Sequence, residues 1–230
     1  MDLGLQIAAS GMVAEQVRQD QLSNDLANAT TPGYKPDKAP QHNFDEVLLA
    51  NSPGAPSVGG VDAYVALGKT YTDMSAGTVL DTGEPLDFAL IGEGFFGVKT
   101  PQGVRYTRNG QFLANNENVL TDSTGNPVLG QSGAPVKVTN GKVEASAVGV
   151  FSVPDAAKQG ENLWTGTPSG KSTATVRQGA LEESGVDAAK IMIEMISSLR
   201  NFQSGQQAIQ TIGQTLQEAS TQVGSLNPNG

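Results

Sequence analysis

The chain has 230 residues, 37% of them apolar and 5% aromatic, with 28 glycines and 12 prolines, which is length enough for a real core and a composition that makes loops and short strands common. A formal charge of −9 and a pI near 4.5 argue against nucleic acid or an anionic membrane as the main partner. Cysteine is absent and His42 is the single histidine, so thiol catalysis, disulfides and the commonest zinc sites are excluded together.

The opening residues, MDLGLQIAASGMVAEQ, lack a basic region and are interrupted by Gly11 and Glu15, unlike a Sec signal. No run approaches the roughly 20 apolar residues of a spanning helix, so membrane insertion is not expected. Export, if it occurs, requires a route without a cleaved leader.

From Leu3 to about Asn28 the residues suit a helix. Leu5, Ala8, Met12, Leu22, Leu26 and Ala29 follow a three-four spacing, which Glu15 and Gln19 interrupt. Small residues from Ala8 to Gly11 would admit a close second backbone. Thr31-Pro32-Gly33 ends the helix, because proline disfavours αR at the residue before it and glycine accepts a left-handed turn.

Residues 35–78 read as an irregular extended connector punctuated by Pro36, Pro40, Pro53 and Pro56. His42 falls there as a solvated loop residue, 44–49 as a short amphipathic piece, and 51–60 as an extended loop. From Val79 the pattern changes to short strands between turns, defining a central all-β domain over 79–177. Thr100-Pro101-Gln102-Gly103 predicts a turn, Asn109-Gly110 separates two strands, and Asn140-Gly141 predicts a type I′ hairpin turn.

The stretch from Ser184 to Val223 organises the rest. Steps of three and four from Met192 give Met195, Leu199, Phe202, Gln206, Ile209, Gly213, Leu216, Ser220 and Val223, a narrow and mostly apolar seam on one long helix. Ser184 with Asp187 three positions on is a capping pattern. Periodicity alone fits an ordinary core-facing helix equally well, but a seam at each end of the chain predicts that the ends pair. The expected fold is α+β, mainly β by domain. An N-terminal axial helix (1–34) and a C-terminal one (178–230) pair as a coiled-coil-like unit, and the β domain is inserted between them.

Several patterns imitate sites. Gly92-Glu93-Gly94-Phe95-Phe96-Gly97 matches a dinucleotide fingerprint, but a strand follows it where a helix is required. Gly166 to Ser172 is one residue short of a phosphate loop and is followed by β-prone residues. Asn28-Ala29-Thr30 spells a glycosylation sequon at a helix end, where a helix-terminating Asn is the plainer reading. Glu182 and Glu183 are adjacent carboxylates whose side chains diverge, and just before a helix they complement its dipole better than they form an acid/base pair. No catalytic, metal or cofactor residue is assigned.

Three blocks carry a resemblance. Leu22-Ser23-Asn24-Asp25-Leu26-Ala27-Asn28-Ala29-Thr30-Thr31-Pro32-Gly33-Tyr34-Lys35 is the first, with Asp25 in place of the usual Asn. Pro85-Leu86-Asp87-Phe88-Ala89-Leu90-Ile91-Gly92-Glu93-Gly94-Phe95-Phe96 with Tyr106-Thr107-Arg108-Asn109-Gly110 is the second. Gln178-Gly179-Ala180-Leu181-Glu182-Glu183-Ser184-Gly185-Val186-Asp187 is the third, with Gly185 replacing an Asn. Together and in this order they resemble the flagellar basal-body rod and hook family, rod proteins more than the longer hook subunits, and distal rod proteins most, with a proximal rod or hook-type axial subunit as the alternative.

The resemblance implies a structural, non-enzymatic subunit of the basal body, exported through the flagellar type III apparatus. It would polymerise with itself and with other rod and hook axial proteins into a tube that transmits torque and conducts exported subunits. The assembly interface it implies comprises Leu5, Ala8, Met12, Leu22, Leu26, Met192, Met195, Leu199, Phe202, Ile209, Leu216 and Val223. Two other classes remain: a phage-tail or other secreted fibre subunit, which would share the seamed ends, and a ligand-binding module built on Gly92 to Gly97.

Overall fold

The computed structural model describes residues 2–38, 41–43, 65–67, 70–160 and 162–225. The predicted 44–49 and 51–60 segments lie outside the described residues. The chain is α+β: a β region lies between two helices, α1 (Asp2–Ala27) and α2 (Ala188–Ser225). It divides into two compact units, one holding 1–26, 37–71 and 189–230, the other 27–36 and 72–188.

In the second unit the strands are short because turns recur every few residues. Besides a short antiparallel pair of Leu113–Ala114 with Leu120–Thr121, they are β1 (Val79–Asp81), β2 (Phe88–Ile91), β3 (Phe95–Thr100), β4 (Gly103–Thr107), β5 (Val128–Leu129), β6 (Val150–Ser152), β7 (Ala157–Gln159), β8 (Leu163–Thr165), β9 (Gly170–Lys171), β10 (Thr175–Gln178) and β11 (Ala180–Glu182). The main sheet runs β7-β8-β4-β3-β6-β9, with β5 also on β3. Its pairings are antiparallel. Two smaller antiparallel pairs, β2 with β10 and β1 with β11, join segments far apart in the chain.

Strand β3 shows how period-two geometry makes two cores. Phe96 and Val98 face a large cluster with Phe88, Leu90, Phe112, Leu120, Val128 and Val150. Phe95, on the opposite face, joins Tyr106, Val153 and Trp164. The rings interlock, Phe96 edge-on to Phe112 at 5.3 Å and Phe95 tilted against Trp164 at 5.5 Å.

The predicted turns form where their chemistry demands. Thr100 and Gly103 close the β3–β4 hairpin, with the Thr100 hydroxyl donating to the Gly103 carbonyl at 2.8 Å. Asn140 and Gly141 both take positive φ, 53° and 72°, and Thr139 and Lys142 exchange both backbone hydrogen bonds across them. The flanking valines do not extend into a ladder; Val136, Val138 and Val143 are spent on the core instead. Gly110 is a close-approach position: a Cβ there would lie 1.6 Å from the Phe88 carbonyl oxygen.

Two expectations need correction. His42 lies in a short strand, Gln41–Asn43, paired with Val65–Leu67, and not in a loop. Ser184 does not cap α2, which begins at Ala188; its hydroxyl accepts from the Val186 amide at 3.3 Å. The Gly185 amide is instead held by the Tyr34 carbonyl at 2.9 Å, outside the helix.

Candidate assembly interface

Contacts between α1 and α2 run in opposite sense along the two helices. Arg18 approaches Glu194 at 3.9 Å, the Glu15 carboxylate accepts from Ser198 Oγ at 2.6 Å and from Asn201 Nδ2 at 3.2 Å, and Met12 lies against Gly205. Ala8, Gly11, Met12 and Ala14 line one notch together with Asn201, Gly205 and Ala208. Glu15, which looks like a break in the apolar pattern of α1, is therefore a point of contact.

From Met195 to Thr221 the covered positions of α2 are Met195, Ser198, Phe202, Gly205, Ile209, Ile212 and Leu216, an unbroken three-four alternation. Of the residues named from the sequence, Met195, Phe202, Ile209 and Leu216 are on this line, half-buried. Met192 and Leu199 are exposed, at 51% and 45%. The second line of the seam is displaced by one residue: Ser198, Gly205 and Ile212 are covered, whereas Leu199, Gln206 and Gly213 face outward. Val223 lies within α2. On α1, Leu22 is buried, Ala8, Met12 and Leu26 are half-buried, and Leu5 is exposed.

Sequence reading missed an outward apolar set. Ile193 and Ile196 are exposed beside Met192 and Leu199, and Val13 and Val17 are exposed on α1. The i, i+3 and i+4 spacing of 192, 196 and 199 could have revealed a second stripe, and so could 13 and 17.

The β unit is closed by a second feature unseen in the sequence. Lys35 Nζ donates to Glu182 Oε1 at 2.6 Å and to the Ser75 carbonyl at 2.6 Å; Arg108 Nη1 donates to Glu182 Oε2 at 3.2 Å. The Lys35 and Glu182 side chains are 0% and 1% exposed and Arg108 is 4% exposed. The Gly77 amide also donates to Glu182, Arg108 Nη2 reaches the Gly92 carbonyl at 2.8 Å, and the guanidinium lies over the Phe95 ring. Backbone bonds run the same way, Gly33 N to Glu182 O at 2.8 Å. Gly33 itself has φ +67, and a Cβ on it would meet the Arg108 carbonyl.

This arrangement corrects the reading of Glu182 as a helix-dipole partner. It is a buried counter-ion for two cations, because β11 turns its side chain inward while Glu183 faces solvent. One charge comes from each of the three sequence blocks. The tempting glycines carry no site: Gly92 and Gly94 turn the chain between β2 and β3, and Gly170 and Lys171 form β9, so neither run opens a helix. Among the described residues no His/Asp/Glu group is placed to hold a metal, and no helix is long and apolar enough to cross a membrane.

Three family profiles match the chain in succession. Residues 5–35 match "Flagella basal body rod protein", 89–159 match "Flagellar hook protein FlgE/F/G D1 domain", and 177–222 match "Flagellar basal body rod FlgEFG protein C-terminal". Lys35, Arg108 and Glu182 fall one in each. The flagellar basal-body rod protein FlgF of Mesorhizobium japonicum is 30% identical over 247 residues, covering 93% of this chain and 99% of the relative. The flagellar hook-basal body complex protein FlhO of Bacillus subtilis is 28% identical, covering 97% and 99%, and the rod protein FlgG of the same organism is 28% identical, covering 91% and 94%. Near-full-length likeness at this identity, with the three profiles in order and their charges meeting in one buried triad, establishes that the chain belongs to the flagellar basal-body rod protein family.

Proposed function

We propose that the chain is a structural subunit of the bacterial flagellar basal-body rod and polymerises through its terminal helices. In this reading α1 and α2 pair as a coiled-coil-like axial domain. Copies of the chain, with other rod and hook axial proteins, build a tube that transmits torque and conducts exported subunits. The chain reaches the basal body through the flagellar type III apparatus, and no step of chemistry is assigned to it.

The observation that carries this reading is the outward apolar set lying off the covered line of each helix: Val13 and Val17 on α1, and Met192, Ile193, Ile196 and Leu199 on α2. Side chains of this size left in water call for a neighbour. Met195, Phe202, Ile209 and Leu216 contribute on the covered line within the chain, and the exposed positions meet the next subunit.

Leu199→Asp or Ile196→Asp places a charge on the outward stripe without touching the covered line. Each substitution is expected to abolish motility and rod growth in a deletion strain complemented with the variant, while the purified chain keeps its fluorescence-detected unfolding midpoint. Normal rod assembly by both variants, seen by electron microscopy of basal bodies, would rule the interface out.

A further inference from the structure

We infer that the Glu15 carboxylate, gripped by Ser198 and Asn201, sets the register of α1 on α2. The covered line of α2 repeats every seven residues, with Ser198, Gly205 and Ile212 in one row and Met195, Phe202, Ile209 and Leu216 in the other. A slide of one heptad, about 10 Å at 1.5 Å per residue, therefore presents nearly the same apolar surface. Apolar burial is non-directional and discriminates weakly between such states. The facing side of α1 adds little shape, being built of Ala8, Gly11, Met12 and Ala14.

Glu15 breaks that degeneracy. Both its oxygens are engaged, Oε2 by Ser198 Oγ at 2.6 Å and Oε1 by Asn201 Nδ2 at 3.2 Å, and Ser198 is 1% exposed. Moving α2 by seven residues in one direction puts Ile191 and Glu194 where Ser198 and Asn201 stand; in the other it puts Gly205 and Ala208 there. None of the four side chains donates a hydrogen bond to a carboxylate, and Glu194 would repel it. A partly buried carboxylate stripped of its donors is costly, so only one alignment satisfies Glu15. The Arg18–Glu194 contact, at 3.9 Å and about a third exposed on both sides, is too loose and too wet to do this.

The chain has no cysteine, so disulfide trapping reports register without background. Met12→Cys with Gly205→Cys probes the observed alignment, and Met12→Cys with Ile212→Cys probes the one-heptad slip, since a disulfide cannot span the added distance. In the full-length chain the monomeric 12–205 bridge is expected to exceed 12–212 by on the order of tenfold, the discrimination that a hydrogen bond to a charged group commonly gives. Glu15→Leu with Ser198→Ala, introduced into both pairs, should bring the ratio close to one while keeping helix content by circular dichroism. Should that double variant lose its helices, Ser198→Ala alone carries the test, and Ser198→Thr, which restores the hydroxyl, should recover the wild-type ratio. A ratio unmoved by loss of the Ser198 hydroxyl would overturn the inference and assign register to packing. The readout is made on single chains, so its outcome is independent of whether the exposed stripe drives polymerisation.

Discussion

The β unit and the helical unit solve the same problem in opposite ways. In the β unit the large side chains Phe88, Phe96, Leu120 and Val128 are fully buried, and the ends of the unit are drawn together by Lys35, Arg108 and Glu182. In the helical unit Ile193 is 68% exposed and Val13 59%. At about 1.5–3 kcal/mol for full burial of such a side chain, covering the half-exposed Met192, Ile193, Ile196 and Leu199 is worth about 3–6 kcal/mol. Joining two bodies costs about 4–15 kcal/mol in lost freedom. One neighbour would therefore hold such a helix weakly and several would hold it firmly, as the proposed assembly requires.

Opening the closed unit should cost most. Glu182→Ala removes the shared counter-ion and leaves Lys35 and Arg108 facing each other in a dry site. Loss of one partner from a buried ionic group costs about 3–5 kcal/mol. The single tryptophan, Trp164, is buried in the β unit beside Phe95, so its fluorescence reports unfolding of that unit alone. The urea midpoint of Glu182→Ala followed at Trp164 should fall by that equivalent. Glu182→Gln keeps the shape of the side chain but not its charge, so it should recover little. A midpoint near wild type for Glu182→Ala would mean the triad is incidental to closure.

A smaller blow to the same unit is steric. Gly110→Ala drives a methyl into the Phe88 carbonyl, at 1.6 Å before any relaxation, where the Phe88 amide also donates to the Gly110 carbonyl at 3.0 Å. Overpacking of this kind costs about 1–3 kcal/mol. The counterpart is Gly213→Ala on the exposed side of α2, where a Cβ meets nothing within 4 Å. There alanine should leave the Trp164 midpoint unchanged and raise helix content slightly, since glycine is the poorer helix former by about 1 kcal/mol.

What could be read in advance followed from how local the determining chemistry was. The Thr100–Gly103 and Asn140–Gly141 turns, the left-handed Gly33 and the two terminal helices each depend on a few adjacent residues, and each was legible. The second row of the seam was not, because Ser198 and Gly205 carry no apolar signature, and Ser198 is covered on account of Glu15, 183 positions away. The triad was hidden for the same reason: Lys35 and Arg108 stand 147 and 74 positions from Glu182. Only the order of the three blocks hinted that their charges would meet. Helical periodicity located the stripe to within one residue, and that single step decides whether Leu199 is covered by its own chain or exposed.

The mildest test concerns Tyr106, which lies between the two regimes of pH in which the β unit should hold and weaken. Burial disfavours the phenolate and raises the Tyr106 pKa above its ordinary value of 10.0. The folded chain therefore keeps the proton longer than the unfolded one. Its contribution is complete below about pH 10 and is lost as pH rises from there toward the folded value, at up to about 1.4 kcal/mol per unit in that window. Tyr106→Phe retains the ring that packs 5.9 Å from Phe151 and deletes the titrating group. The urea midpoint of the β unit should then decline less steeply between about pH 9.5 and 11 than in wild type, with little difference at neutral pH. The midpoint is the quantity to compare, because Trp164 pairs directly with Tyr106 across β4 and β8 and its fluorescence intensity will respond to the phenolate in any case. Equal slopes in the two chains would show that the Tyr106 hydroxyl reaches water, and that this face of the β unit is less closed than the opposite one.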